Sequence, residues 1–436
     1  MKAKFWLLSS LALLSKNWPG ISTYTRQPST GSYCVFAGNR PSDCEKGFDI
    51  VIGNPPYLFL SGKGSPVRRL INEGKIVAAE RLQELLNSYG KRYPEVSQGC
   101  QDFYKWFYKL ALNICRHDGV LAFITPDTFF NMPKYLDLRT QLFQHSVLSL
   151  IDLGFSVFDA PTVSSAICIV KKDQKKTTSV FLSDIRPLLN KENRDQIYSI
   201  VQEVRKEVEV TNNEICDYKH PIAKRLYDDP NLVGLGNYIS FSEGEHDIQI
   251  DEALLSDHNE PGRIPVLIDS TMQRNGYVTK AFMLSNVIYQ NPLHLGERCL
   301  VRKTGDTIVA SLPPDPDFAV AHQNVYVAKD KAGMSMKFWM AILNSTMLTF
   351  LYQNGLFGQK GRTMAQFRIY ALNALPIPAA IDRTSLQNIQ NYATALLQSS
   401  SKSERLSIEI KIDDEVYKMY GLSQEEVDTI TSVMRS

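Results

Sequence analysis

The 436 residues carry 48 Lys and Arg against 46 Asp and Glu, a formal net charge of +2, with 44% hydrophobic and 22% charged residues. At ~100–200 residues per domain this length predicts two or three domains with ample core, which excludes a peptide or a small disulfide scaffold. The composition excludes a disordered or collagen-like chain; the charge balance excludes a histone-like polycation but leaves room for nucleic acid held on a local basic face.

The chain opens with Met1-Lys2-Ala3-Lys4 and an apolar run over residues 5–14. This imitates a secretory signal, but Lys16-Asn17-Trp18-Pro19 is a poor cleavage site and the run falls short of the ~20 residues a membrane span needs. A buried first helix in a cytoplasmic, membrane-free protein is expected. The seven cysteines are scattered without a C-x-x-C pair, and some sit in apolar runs such as Ala166-Ile167-Cys168-Ile169-Val170. They read as reduced, buried thiols.

Phe48-Asp49-Ile50-Val51-Ile52-Gly53 is a β-branched run stopped by two prolines, which predicts a buried parallel strand ending in a loop. The polar insertion over 58–99, with Ser61-Gly62-Lys63-Gly64 and Arg68-Arg69, reads as a lid or binding loop. Residues 101–116 place Phe103, Phe107, Leu110 and Ile114 on one helical face, and His117-Asp118-Gly119 stops them. A strand over 120–124, a helix over 134–145 and strands over 147–153 and 163–170 complete an α/β domain with a mostly parallel sheet. Lysine-rich residues 171–176 close it, and the charged, helix-patterned stretch 184–219 reads as a connector. Short strands over 264–268, 298–303, 307–312 and 324–327, interrupted by one helix over 336–352, predict a second, α+β domain. The tail from 385 is helical, with a helix over 406–420 capped by Gly421. There is no internal repeat.

Asn54-Pro55-Pro56-Tyr57, at the carboxyl end of a buried strand, is the sharpest chemical signal, because ligands of parallel α/β sheets sit at strand carboxyl ends. Proline has no N–H, so this turn offers acceptors without competing donors. The Asn54 side-chain oxygen and the Pro55 carbonyl can each accept one proton of an exocyclic NH₂. That draws the nitrogen lone pair out of ring conjugation and lets a weak nucleophile attack a methyl donor. Tyr57 offers a stacking face worth ~1–3 kcal/mol per base. A bare Asn-Pro-Pro-Tyr is otherwise a Pro-Pro turn with an exposed tyrosine; the strand before it favours a site.

From Phe48 to Tyr57 the sequence resembles the catalytic motif of gamma-class DNA adenine-N6 methyltransferases, the TaqI-like and type IIG restriction-modification enzymes. The resemblance implies base flipping and methyl transfer from S-adenosylmethionine to adenine N6 in duplex DNA. Gly119-Val120-Leu121-Ala122-Phe123-Ile124-Thr125-Pro126 is similar to the family's next sheet strand, and residues 155–171 to the segment whose phenylalanine, here Phe158, closes the other face of the base. Alone, Phe158 reads equally as a core aromatic. Gly262-Arg263-Ile264-Pro265-Val266-Leu267, residues 300–310, Ala341-Ile342-Leu343-Asn344-Ser345 and Leu375-Pro376-Ile377-Pro378 resemble the DNA-specificity domain, and residues 412–422 its closing helix.

The family also carries, before the catalytic strand, a glycine-rich turn and an acidic residue that hold the cofactor. Lys4-Phe5-Trp6-Leu7-Leu8 resembles the helix after that acid, and Phe36-Ala37-Gly38-Asn39 the later strand end, so the main cofactor motifs are expected to be absent. Gly62-Lys63-Gly64 and Gly234-Leu235-Gly236 follow no predicted strand and read as loops. A split-enzyme half needing a separate N-terminal half, a truncated product or a fragment are the expected alternatives. The seven histidines show no H-x-x-x-H spacing, and no metal site is expected. Asp413-Asp414 reads as a solvated helix face, while Arg298, Arg302, Lys303, Arg362 and Arg368 are candidates for a DNA-facing surface as well as ordinary surface charges.

The expectation is an N-terminally truncated Rossmann-like α/β methyltransferase domain (1–180), a helical connector (181–220), an α+β TaqI-like target-recognition domain (221–380) and a helical segment (381–436). Asn54, Pro55, Pro56 and Tyr57 are the expected catalytic residues, with Tyr57 and Phe158 stacking on the base. The alternatives are a catalytically inactive DNA-binding remnant and a methyltransferase of protein glutamine or RNA amines; the specificity-like second half argues against the latter.

Overall fold

The computed structural model describes residues 34–37 (backbone alone), 47–60, 65–155, 157–158, 163–246, 248–250, 252–256, 261–285, 292–314, 320–356 and 366–435. The expected first helix, Gly62-Lys63-Gly64 and Arg362 lie outside them. Two compact units form, Met1–Asp217 and Tyr218–Ser436. Among the described residues no helix is long and apolar enough to cross a membrane.

The first unit is built on one sheet of β1 (Cys34–Ala37), β2 (Phe48–Gly53), β3 (Cys115–Pro126), β4 (Ser146–Gly154), β5 (Ser165–Lys171), β6 (Ser179–Asp184), β7 (Lys206–Thr211) and β8 (Glu214–Ile215). Their order is β1-β2-β3-β5-β4-β6-β7-β8. β2 pairs parallel with β3, and β4 with β6, while β5 lies antiparallel between β3 and β4. The remaining pairs are antiparallel. The expected mostly parallel sheet is therefore a mixed one. The link from β4 to β5 is too short for a helical crossover, so the chain must turn back beside the strand it has left. β2, β3, β4 and β6 nevertheless run in one direction, and their carboxyl ends share one edge of the sheet.

Successive strand residues face opposite sides. Leu121, Phe123, Leu150, Cys168 and Val170 pack with Tyr104, Tyr108 and Leu112 in one core. On the other side Ile151 and Leu153, with Ile124 and Ile167, pack against Ile185, Leu189, Ile197, Ile200 and Val201. Residues 181–220, expected as a connector beyond the first domain, thus supply β6 to β8 and an apolar layer. The boundary between units falls after Asp217, because a sheet apolar on both faces must be covered on both.

The described part of 58–99 is largely helical, correcting the expected loop: α1 (Pro66–Asn72) starts at Ser65, whose side chain accepts from Arg68 N, and α2 (Ile76–Arg92) buries only Ala79 and Leu86. A stripe that narrow leaves a polar composition resembling that of a loop. α3 (Phe103–Ile114) forms as predicted but presents a different face, burying Tyr104, Tyr108, Ala111 and Leu112 and leaving Leu110 exposed. No turn follows it, since β3 begins at Cys115. Asp118 takes a left-handed φ of 62°, and a Cβ at Gly119 would lie 2.9 Å from the carbonyl oxygens of Phe48 and Asp49. α4 (Leu136–Leu142) and α5 (Ile197–Glu203) complete the helices.

The second unit contains α6 (Pro221–Tyr227), β9 (Leu232–Gly234), β10 (Ile239–Glu243), β11 (Leu255–Ser256), β12 (Ile264–Leu267), β13 (Ala281–Leu284), β14 (Cys299–Arg302), β15 (Ala310–Ser311), β16 (Val320–Ala321) and β17 (Val325–Asp330). Two four-stranded sheets form, β10-β17-β14-β15 and β11-β13-β12-β16. The predicted helix over 336–352 is two, α7 (Met336–Asn344) and α8 (Thr346–Asn354), split at Ser345, whose side chain accepts from Leu348 N. After α9 (Ile369–Asn373), β18 (Pro376–Pro378) pairs with β9. Gly234-Leu235-Gly236 thus closes a strand, against expectation, and a Cβ at Gly236 would lie 2.9 Å from the Asn373 side chain, so it is packed. α10 (Arg383–Gln398) and α11 (Lys402–Met419) bury Ile389, Ala393, Leu396, Ile412 and Val416 with α7 and α8, and α12 (Gln424–Arg435) adds Ile430. The closing helices therefore belong to this unit's core. Asp413 is no solvated residue: it accepts from Thr346 N at 2.8 Å and Thr346 Oγ1 at 2.6 Å, at the start of α8. Cys100, Cys115, Cys168 and Cys299 are buried free thiols, and Cys216 is half-buried and free.

Candidate active site

β2 buries Ile50, Val51 and Ile52 and then releases the chain at the shared carboxyl edge. There Asn54 is exposed, Pro55 buried, and Pro56 and Tyr57 half-buried. Leaving the motif, the chain is tied to the start of α3: Leu60 N donates to Gln101 O and Phe103 N to Leu58 O, each at 3.0 Å, and Phe59 forms a bridge with Asp102. An amide side chain exposed beside a carbonyl of an N–H-free dipeptide can receive a two-proton donor.

The Tyr57 hydroxyl is turned inward toward Ser165, and neither oxygen completes a hydrogen bond. Burial pushes this hydroxyl up to about 12, so the ring is a neutral phenol at physiological pH. Behind it Tyr108 Oη and Thr125 Oγ1 are 3.3 Å apart, and burial holds Tyr108 well above the usual range. Ser164 Oγ donates to Asp127 Oδ2 at 2.7 Å, joining the end of β3 to the start of β5. Phe158, half-buried in the connection after β4, stands at the same edge. From β2 to β4 is three strand spacings, ~14 Å.

Sequence reading did not single out Asp102, although it supports the motif. Burial raises its carboxyl from 3.8 to about 6, and Tyr135 Oη donates to it at 3.0 Å. Between these two values the folded state holds a proton that the unfolded chain has lost, so stability falls as pH rises through the window and the penalty is complete above it. The rise corresponds to roughly 3 kcal/mol at full ionisation. Asp102→Asn keeps an acceptor for Tyr135 and removes the ionising group. It is expected to stabilise the protein at pH 7 by about 1–2 kcal/mol and to have little effect at pH 4. Urea midpoints at the two pH values check this.

The proposed DNA-facing cations are dispersed. Arg298 is buried, donating to Gly296 O at 3.1 Å, which corrects its assignment to a surface. Lys303 pairs with Glu243 at 3.0 Å and donates to Gln323 O. Arg302 is half-buried at the end of β14, and Arg368 is half-buried at the start of α9. Among the described residues no cluster of His, Cys, Asp or Glu could hold a metal ion.

Residues 21–158 match the Eco57I restriction-modification methylase family, and residues 236–377 match the TaqI-like C-terminal specificity domain. The two matches follow one another along the chain, one in each unit. A Methanocaldococcus jannaschii protein named as a type II restriction enzyme and methyltransferase is 22% identical over 88% of this chain and 32% of its own length. The chain thus spans about a third of that relative. Among solved structures, the type IIL restriction-modification enzyme MmeI in complex with DNA aligns at 11% identity with a TM-score of 0.44, over 88% of this chain and 57% of its own. The type ISP restriction-modification enzyme LlaBIII bound to DNA aligns at 11% identity with a TM-score of 0.47, over 81% and 30%. The methylase match ends at Phe158, so it spans both the Asn54–Tyr57 turn and the second aromatic.

Proposed function

We propose that the chain transfers a methyl group from S-adenosylmethionine to adenine N6 in duplex DNA, the first unit holding the extruded base and the second reading its sequence. The observation that carries this reading is Asn54-Pro55-Pro56-Tyr57 at the carboxyl end of β2, on the edge where β3 and β4 also end. Asn54 Oδ1 and the Pro55 carbonyl each accept one N6 proton, leaving the nitrogen lone pair free to attack. Tyr57 and Phe158 flank the base. The methylase and specificity matches support the reading.

S-adenosylmethionine supplies the methyl group. The described residues around β2 fit the acceptor and not this donor, since Asp49 is paired with Arg116 at 2.5 Å and Asp127 with Ser164. We therefore assign amine binding to these residues and donor binding elsewhere. Calorimetry with the full chain is expected to show very weak or no binding of S-adenosylmethionine; one-site micromolar binding would place the donor site on this chain.

The full chain is tested with labelled S-adenosylmethionine and genomic DNA, followed by nucleoside mass spectrometry. N6-methyladenine is the expected product. Label on cytosine, RNA or protein glutamine would overturn the adenine assignment, and DNA binding without transfer would leave a recognition protein. Tyr57→Ala is expected to weaken binding of duplexes carrying 2-aminopurine at the target by ~1–3 kcal/mol, while Tyr57→Phe keeps the stacking face and most of the affinity.

A further inference from the structure

Residues 184–201 form part of the expected connector over 181–220, yet they pack against the residues that lead to Phe158. β4 ends at Gly154, whose φ is 67° and where a Cβ would lie 2.9 Å from Arg186 Cγ. Arg186 is itself held in place, its Nε donating to Asp184 Oδ1 at 2.7 Å and lying 3.1 Å from Asp152 Oδ2. Val157 packs into the apolar cluster of Ile185, Leu189, Ile197 and Ile200. Arg194 Nη2 then donates to the Phe158 carbonyl at 3.1 Å, and a charged donor makes the stronger kind of backbone tether. Three contacts of different kinds, a stem against a glycine, an apolar anchor and a charged hydrogen bond, converge on Gly154, Val157 and Phe158 from one stretch of chain.

We infer that residues 184–201 are a positioning element that sets Phe158 at the carboxyl edge of the sheet, with Arg194 as its tether, so that the ring stands against an acceptor base. The inference rests on the reading above for the identity of the base, but the tether itself does not. Phe158 starts from a strand ~14 Å from β2, and its backbone must be held if its ring is to meet a base bound at Asn54. Arg194 is a positioning residue, acting on the base through the Phe158 backbone.

The test uses the full chain and its Arg194→Ala, Arg194→Lys and Gly154→Ala variants. Limited chymotrypsin digestion reads the tether without DNA: Arg194→Ala and Gly154→Ala are expected to speed cleavage after Phe155 and Phe158 by about fivefold, with other sites unchanged. Methyl transfer to DNA, supplied with whatever companion the wild type requires, is expected to fall about tenfold in kcat/KM for Arg194→Ala and to recover with Arg194→Lys. Unchanged cleavage at 155 and 158, or equal acceleration at every site, would overturn the positioning role. If the wild type transfers no methyl group to DNA while the selective cleavage appears, the methyltransferase reading fails and the tether stands. If transfer is normal in Arg194→Ala, this inference alone fails.

Discussion

Asn54→Ala is expected to lower kcat for methyl transfer by about 10²–10³, the scale for losing one positioned group at a site of developing charge. Asn54 is exposed, so stability should stay within about 0.5 kcal/mol of the parent. The amide is proposed to strengthen its hold as the amine turns tetrahedral, so its loss should appear in kcat far more than in DNA affinity. Single-turnover rates alongside anisotropy titrations separate the two. Near-normal turnover with a silent Asn54 would leave the Pro55 carbonyl as the acceptor that matters, and the proposed role of the side chain would fall.

Lys105→Met should strongly damage folding of the first unit. The Lys105 side chain is fully buried, and its Nζ donates at 2.8 Å to each of Gln98 O, Cys100 O and Asp137 Oδ2. Methionine fills the same volume but leaves a nearly buried carboxylate and two carbonyls without their donor. Breaking such a pair from one side costs about 3–5 kcal/mol, because the remaining charge stays desolvated. Replacing both partners, as in Lys105→Met with Asp137→Leu, removes the stranded charge and should recover a large part of the loss. Denaturant midpoints of the parent, single and double variants measure both numbers. A single-variant loss below about 1 kcal/mol would mean that water reaches Asp137. The effect bears on the site because this cation holds the backbone that leads into Asp102, to which the exit of the Asn54–Tyr57 turn is tied.

What the sequence by itself determined is local. The β2 run and the Asn-Pro-Pro-Tyr turn could be read directly, because a buried strand needs consecutive β-branched residues and proline must end it. The separation of α7 from α8 at Ser345 is also local, since a serine that caps one helix can close the one before it, but it went unread inside a continuous apolar pattern. The tertiary structure decided what depends on distant partners. Phe103 to Ile114 is apolar nearly all round, so two faces satisfied the helical period, and packing against β3 and β5 chose the one with Tyr104 and Tyr108. Residues 184–201 look polar and helical along the chain, and only the uncovered face of the sheet turned Ile185, Leu189, Ile197 and Ile200 into a second layer. Arg298 carries the same charge as any surface arginine, yet the fold buries it, because the surroundings of a guanidinium are set by residues far away in the chain.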